Sequence, residues 1–249
     1  MGCDIHFFVE RRDTTINRWV SADSWEMEDD GRTQYVPYQK EYYNDRNYNL
    51  FAILADVRNG RGFAGDDMGD GFVPVSMPKG LPGNVSANVE ACAKRWNGDG
   101  HSHSWLTIRE LMEYDWTQTS TLRGWVSGPE FLEWSNWRRG DGAGPKCYCG
   151  SVDGPNIEHV PVEEMERRIA SIRETISAEQ GLNARQIYAR VKDRVSATLG
   201  LVYCQAQWQS PYYREAGAFL SETMPRLWKL MLDGTGKPED VRIVFWFDN

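Results

Sequence analysis

Between Cys3 and Glu10 apolar and polar side chains alternate, with Cys3, Ile5, Phe7 and Val9 on one side and Asp4, His6, Phe8 and Glu10 on the other. A two-residue period predicts a strand with one apolar and one partly polar face. Near the other end, Val241 to Phe247 reads VRIVFWF, a nearly continuous β-branched and aromatic run. That pattern predicts a strand buried on both faces. Two such strands at the two ends predict that the chain closes on itself. The expected architecture is a single α+β domain over residues 1–249, with a central mixed β-sheet that contains both terminal strands and is flanked by helices.

Helical spacing appears in between. Leu50, Phe51, Ile53, Leu54 and Val57 predict a helix over Tyr48 to Val57. Thr107 and Glu110 form a T-x-x-E capping box ahead of a short helix through Leu111, Met112 and Tyr114. Val162, Met165, Ile169, Ile172 and Ile176 repeat at three- and four-residue steps, Gly181 interrupts, and Ile187, Tyr188, Val191, Val195 and Leu199 resume the stripe. Residues 162–199 are therefore expected to form a helical hairpin, which can pack on the core or offer a homo-oligomer contact. A last helix over Tyr212 to Leu232 contains Pro225, which should kink or divide it. Two Gly-rich stretches, Asn59 to Asn84 and Arg139 to Gly154, interrupt these elements; the first is long enough to suggest a binding loop.

Composition narrows the function classes. With 28 Lys and Arg against 36 Asp and Glu the formal charge is −8. Such a balance argues against general nucleic-acid binding but leaves room for a local basic pocket that takes a small anion. No apolar run approaches the roughly 20 residues that span a bilayer, so no membrane partner is expected. Five cysteines without a regular framework, behind an opening that reads as a strand rather than a signal peptide, suggest reduced thiols and a cytoplasmic setting. Cys147 and Cys149 lack two further ligands nearby for a zinc site. The loop Gly65 to Gly71 carries Asp66, Asp67 and Asp70 but has Met68 where an EF-hand needs an oxygen donor.

Histidine is scarce, and three of the four copies fall in two motifs, Cys3-Asp4-Ile5-His6 and Asp99-Gly100-His101-Ser102-His103. In extended chain, residues two apart share a face about 6.6 Å apart. Asp4 with His6, and His101 with His103, are thus candidate ligands for zinc, manganese or iron. Solvated or structural histidines are the alternative reading. Asp99 is placed to orient an imidazole, Arg58 to clamp a phosphate, and Trp105 to stack on a base.

The segments MGCDIHFFVE, RNYNLFAILADVRNG (Arg46 to Gly60), GHSHSWLTIREL (Gly100 to Leu111) and VRIVFWFDN together resemble a family of uncharacterised phage and bacterial proteins. The resemblance runs end to end and implies a phage or prophage context in a bacterial host cell. Asp4-Ile5-His6 and Gly100-His101-Ser102-His103 are in addition similar to the D-x-H and G-H-x-H motifs of calcineurin-like metallophosphoesterases, which hold two metals. Gly65-Asp66 stands in for that family's G-D motif, its Asn-His motif is missing, and the G-H-x-H falls early in the chain. The leading expectation is a metal-dependent hydrolase of a phosphoester, a nucleotide or nucleotide-derived signal. Asp4, His6, His101 and His103 would hold the metal, with Asp99 and Arg58 assisting. The alternative is a non-enzymatic phage protein that sequesters such a signal or inhibits a host defence protein. A virion component is a third reading.

Overall fold

The computed structural model describes residues 2–96 and 98–248. Its strands are β1 (Ile5–Asp13), β2 (Arg18–Ser21), β3 (Glu26–Met27), β4 (Gln34–Tyr35), β5 (His101–Thr107), β6 (Thr119–Ser127), β7 (Glu158–His159), β8 (Val202–Pro211) and β9 (Val241–Phe247). The helices are α1 (Tyr48–Ala55), α2 (Ala87–Arg95), α3 (Ile108–Glu113), α4 (Gly128–Trp137), α5 (Val162–Ser177), α6 (Ala184–Leu199), α7 (Tyr212–Glu215) and α8 (Met224–Asp233). Together they make an α+β protein of two compact units. One comprises residues 1–59, 72–118 and 211–249; the other comprises residues 60–71 and 119–210. No helix of the described residues is long and apolar enough to cross a membrane.

The first unit is built on a four-stranded sheet in the order β2-β1-β9-β5. Both terminal strands lie in it, as their patterns predict, with Ile5 opposite Phe247 and Arg11 opposite Val241. Within this sheet β1–β2, β1–β9 and β5–β9 are all antiparallel. β9 sits between two neighbours and is buried along its whole length. Phe7, Val9, Leu106, Ile243, Phe245 and Phe247 face one side and pack with Leu50, Phe51 and Leu54 of α1 and Leu227 and Met231 of α8. Phe8, Val244 and Trp246 face the other side, against Val89, Cys92 and Ala93 of α2.

Local signals set the helix ends. Asn47 caps α1 by accepting from the Leu50 amide at 3.0 Å, and Asp56 ends the helix in the left-handed region at φ 59°. At α3 the capping box forms in full: Thr107 Oγ1 accepts the Glu110 amide at 3.2 Å, and Glu110 Oε2 accepts the Thr107 amide at 2.8 Å. Thr107→Ala should therefore lower stability by about 1 kcal/mol, read as a loss of native-state hydrogen-exchange protection in α3. The helix expected over Tyr212 to Leu232, which Pro225 should kink or divide, is divided upstream of that residue. A π-helical turn over Phe219–Thr223 separates α7 from α8, and Pro225 falls in the first turn of α8, where its missing N–H has no intrahelical role.

In the second unit the strands run β6-β8-β7, with β7 and β8 parallel, and α4, α5 and α6 pack together. The helical hairpin stands where its stripe predicts it. Met165, Ile169 and Ile176 of α5 and Val191, Val195 and Leu199 of α6 are buried. Part of the first Gly-rich stretch is packed. Its residues 60–71 run beside β6, where the Asp70 amide donates to Thr121 and the Arg123 amide to Met68. Gly69 is required there: at φ 143° its hydrogen lies where a Cβ would come within 2.3 Å of the Thr121 carbonyl. Asp67 and Asp70 are both paired with Arg123.

Candidate functional site

His6 lies on the α2 side of the first unit's sheet, directly opposite Trp246 of β9. Its ring stacks on the Trp246 indole at 5.5 Å and tilts against Trp96 at 4.1 Å between centroids. Nε2 is 3.2 Å from Asp248 Oδ2. Asp248 is itself fixed, since its other oxygen accepts the Asp4 amide at 2.9 Å and its own amide donates to the Asp4 carbonyl at 3.2 Å. Burial lowers the imidazole pKa and Asp248 opposes it; the net shift is downward, which keeps His6 neutral near pH 7. The carboxylate that orients an imidazole is thus Asp248 and not Asp99, whose place is the wall of an adjoining cleft.

The two histidines of β5 do not share a face. From His101 to Ser104 the strand advances three residues while β9 advances two, from Phe247 to Phe245. This bulge carries Ser102 at φ 52°. The extra residue shifts the phase. His103 stacks on Trp246 at 5.4 Å on the α2 side, whereas the His101 ring lies 6.1 Å from Phe247, whose side chain belongs to the α1 side. Burial and the neighbouring imidazoles of His101 and His6 lower the His103 pKa. Asp4 turns to Arg46, which grips both its oxygens at 2.6 Å and lowers its pKa.

The expected metal pocket of Asp4, His6, His101 and His103 therefore does not form. Trp246 stands on the strand between His6 and His103, His101 is on the opposite face, and Asp4 is held by a guanidinium. Among the described residues no group of three or more His, Cys, Asp or Glu side chains is arranged to hold a metal ion. One donor atom in the set, His101 Nε2, is buried without a hydrogen-bond partner. A single nitrogen is not a coordination sphere, so these residues do not fit a zinc, manganese or iron centre.

The remaining expected residues are also dispersed. Arg58 lies over the Tyr48 ring at 4.9 Å, beside the buried Cys3 thiol on the α1 side, away from His6 and His103. Trp105 shares the α2 side, but Lys79 lies over its ring at 4.5 Å and Arg242 at 5.6 Å. Cations thus occupy the surface that a base would need.

Two clefts flank α2, one at each end. At its C-terminal end a cleft of about 440 Å³ is lined by His6, Tyr35, Arg95, Trp96 and the carboxylates Glu28, Glu41 and Asp99. Arg95 is committed to the Gln34 carbonyl at 2.8 Å, and burial raises the pKa of Glu41. At the N-terminal end a cleft of about 700 Å³ is lined by Arg12, Arg18, Trp19, Trp25, Asn84, Ser86 and Asn88. Glu90 also lines it and pairs with Lys94 at 2.7 Å. The helix dipole sharpens this polarity, with its positive end at the Arg–Trp cleft and its negative end at the carboxylates. Trp96 lies beside the histidine motif in the sequence and could have been chosen with it. Arg12, Arg18 and Trp19 carried a weaker signal, a basic-aromatic cluster in a tight hairpin.

No protein-family model, no curated protein and no solved structure matches this chain.

Proposed function

We propose that the chain is a non-catalytic protein that binds a nucleotide-like small molecule, in the bacterial cytoplasm and in the phage or prophage setting that its resemblance implies. One observation carries this reading: the Arg–Trp cleft at the N-terminal end of α2 joins two indoles and two guanidiniums in about 700 Å³, room for a mononucleotide. Base stacking on an indole contributes roughly 1–3 kcal/mol. A guanidinium matches the geometry of a phosphate. The locally basic lining offsets the chain's formal charge of −8, which would otherwise repel an anion.

Hydrolysis of a phosphoester is the second reading, favoured by the neutral His6 imidazole held by Asp248 at the edge of the acidic cleft. A held, neutral imidazole is a general base. Three carboxylates in that cleft disfavour a phosphorylated substrate there, which ranks this reading below binding.

Equilibrium dialysis with nucleoside 5′-monophosphates tests both. About one nucleotide bound per chain and recovered chemically intact is the expected result. Product formation over many turnovers, lost about 100-fold in His6→Asn, would overturn the binding reading in favour of hydrolysis.

A further inference from the structure

We infer that the Arg–Trp cleft is built around a phosphate group, seated on the N-terminus of α2 against the Ser86 hydroxyl; this rests on the binding reading above and names the part of the ligand that the helix recognises. Ser86 is the N-cap residue of α2, a nine-residue helix, yet its side chain makes no capping hydrogen bond. The residue is only 8% exposed, it lines the cleft, and its Oγ is buried without a partner. A buried hydroxyl with nothing to bond is unfavourable unless something else completes it.

Its surroundings point to an anion. The first intrahelical bond of α2 runs from the Glu90 amide to the Ser86 carbonyl, so the amides of Ala87, Asn88 and Val89 have no acceptor within the helix. Amides without an acceptor in the helix, at the positive end of its dipole, form an anion seat. The seat is held from behind, because the Ser86 amide donates to the buried Glu10 carboxylate at 2.6 Å. That bond fixes the backbone and leaves the buried hydroxyl without a partner. Arg12 and Arg18 line the same cleft from the β1–β2 hairpin; Arg12 donates to Asn17 Oδ1 at 3.2 Å, and Arg18 is exposed. The assembly offers a phosphate a hydroxyl, backbone amides and the Arg18 guanidinium, with Trp25, stacked on Phe8 at 5.4 Å, beside it for the base.

Calorimetric titration of the full chain with guanosine and adenosine 5′-monophosphates, the matching nucleosides and inorganic phosphate tests the assignment. Monophosphates should bind at least about 10-fold tighter than nucleosides, and Ser86→Ala should weaken monophosphates about 10-fold while changing nucleosides less than about 2-fold. Because Ser86 makes no capping bond, the Ala variant should keep its urea midpoint. If it fails to fold, Arg18→Gln replaces it, and the preference for monophosphates over nucleosides should shrink while the fold is retained. Equal binding of nucleosides and monophosphates, unchanged by either variant, overturns the phosphate seat but leaves ligand binding standing. If none of these probes binds, the binding reading itself fails, and the seat with it.

Discussion

Replacing Arg242 by Met should destabilise the first unit by about 3–5 kcal/mol, the loss expected when one partner of a buried ion pair is removed. Arg242 and Glu10 face each other directly across β9 and β1, at 2% and 0% exposure. Their closest approach is 2.6 Å between Arg242 Nη2 and Glu10 Oε2, with Nε donating to the same oxygen at 2.7 Å. The remaining donors go to Asn84, whose Oδ1 and carbonyl accept at 2.9 and 3.2 Å, and the guanidinium lies 4.0 Å over the Trp19 ring. Burial lowers the Arg242 pKa, and Glu10 offsets part of that shift. Met preserves much of the aliphatic volume but leaves a carboxylate inside the protein with the Ser86 amide as its remaining donor among the described residues.

The double variant Glu10→Gln/Arg242→Met separates the pair from its parts. It removes both charges and keeps an oxygen to accept the Ser86 amide, so it should recover more than half of the single-variant loss. Native-state hydrogen exchange of β9 amides is the appropriate readout, since a chain of two compact units need not unfold in one step. Losses that simply add would show that the two side chains act independently and that the pair is not what holds β1 to β9. The same experiment bears on the ligand site, because Glu10 fixes the backbone of Ser86 from the protein interior.

What could be read from the sequence follows from how locally each feature is encoded. The terminal strands, the capping box at Thr107 and the helical hairpin each depend on neighbours within a few residues, and the structure contains all of them. The histidine cluster was only half legible. A two-residue period places His101 and His103 together only while the strand is regular, and the left-handed Ser102 breaks it with a residue type that gives little warning. Nor does a sequence say which charges are already taken. Asp4 is held by Arg46, forty-two positions away, and Asp70 by Arg123, fifty-three positions away. The Arg–Trp cleft was missed because its walls, 12–25 and 84–90, meet only once β1 and α2 are packed.

Asp23 should make stability fall as pH rises from about 4 to 7, against the usual direction for a carboxylate. The carboxyl of Asp23 lies against Val9 and Ser21. Its Oδ2 accepts the Val9 amide and the Ser21 hydroxyl, each at 2.9 Å, while Oδ1 is buried without a partner. Burial, aided by the nearby charge of Glu10, pushes its pKa up to about 6, and the bonds from Val9 and Ser21 only partly offset this. In the unfolded chain the same group titrates near 3.9. Below about pH 4 both states are protonated and there is no penalty. Between the two pKa values the unfolded chain ionises first, so the folded state loses ground steadily. Above about pH 6 the full penalty, of order 3 kcal/mol, is in place.

Asp23→Asn removes this titration but keeps an oxygen for the Val9 amide. Carboxylates whose partners lower their pKa, such as Asp4 and Glu110, lose stability at the acid end in both proteins, so they cancel in the difference. The stability of the Asn variant relative to the parent should accordingly rise by up to about 3 kcal/mol between pH 4 and 7, levelling above pH 6. Any fixed cost of the new amide shifts that curve vertically without changing its shape. Parallel stability curves would falsify the assignment, because they would mean that Asp23 ionises as readily in the folded protein as in the unfolded chain.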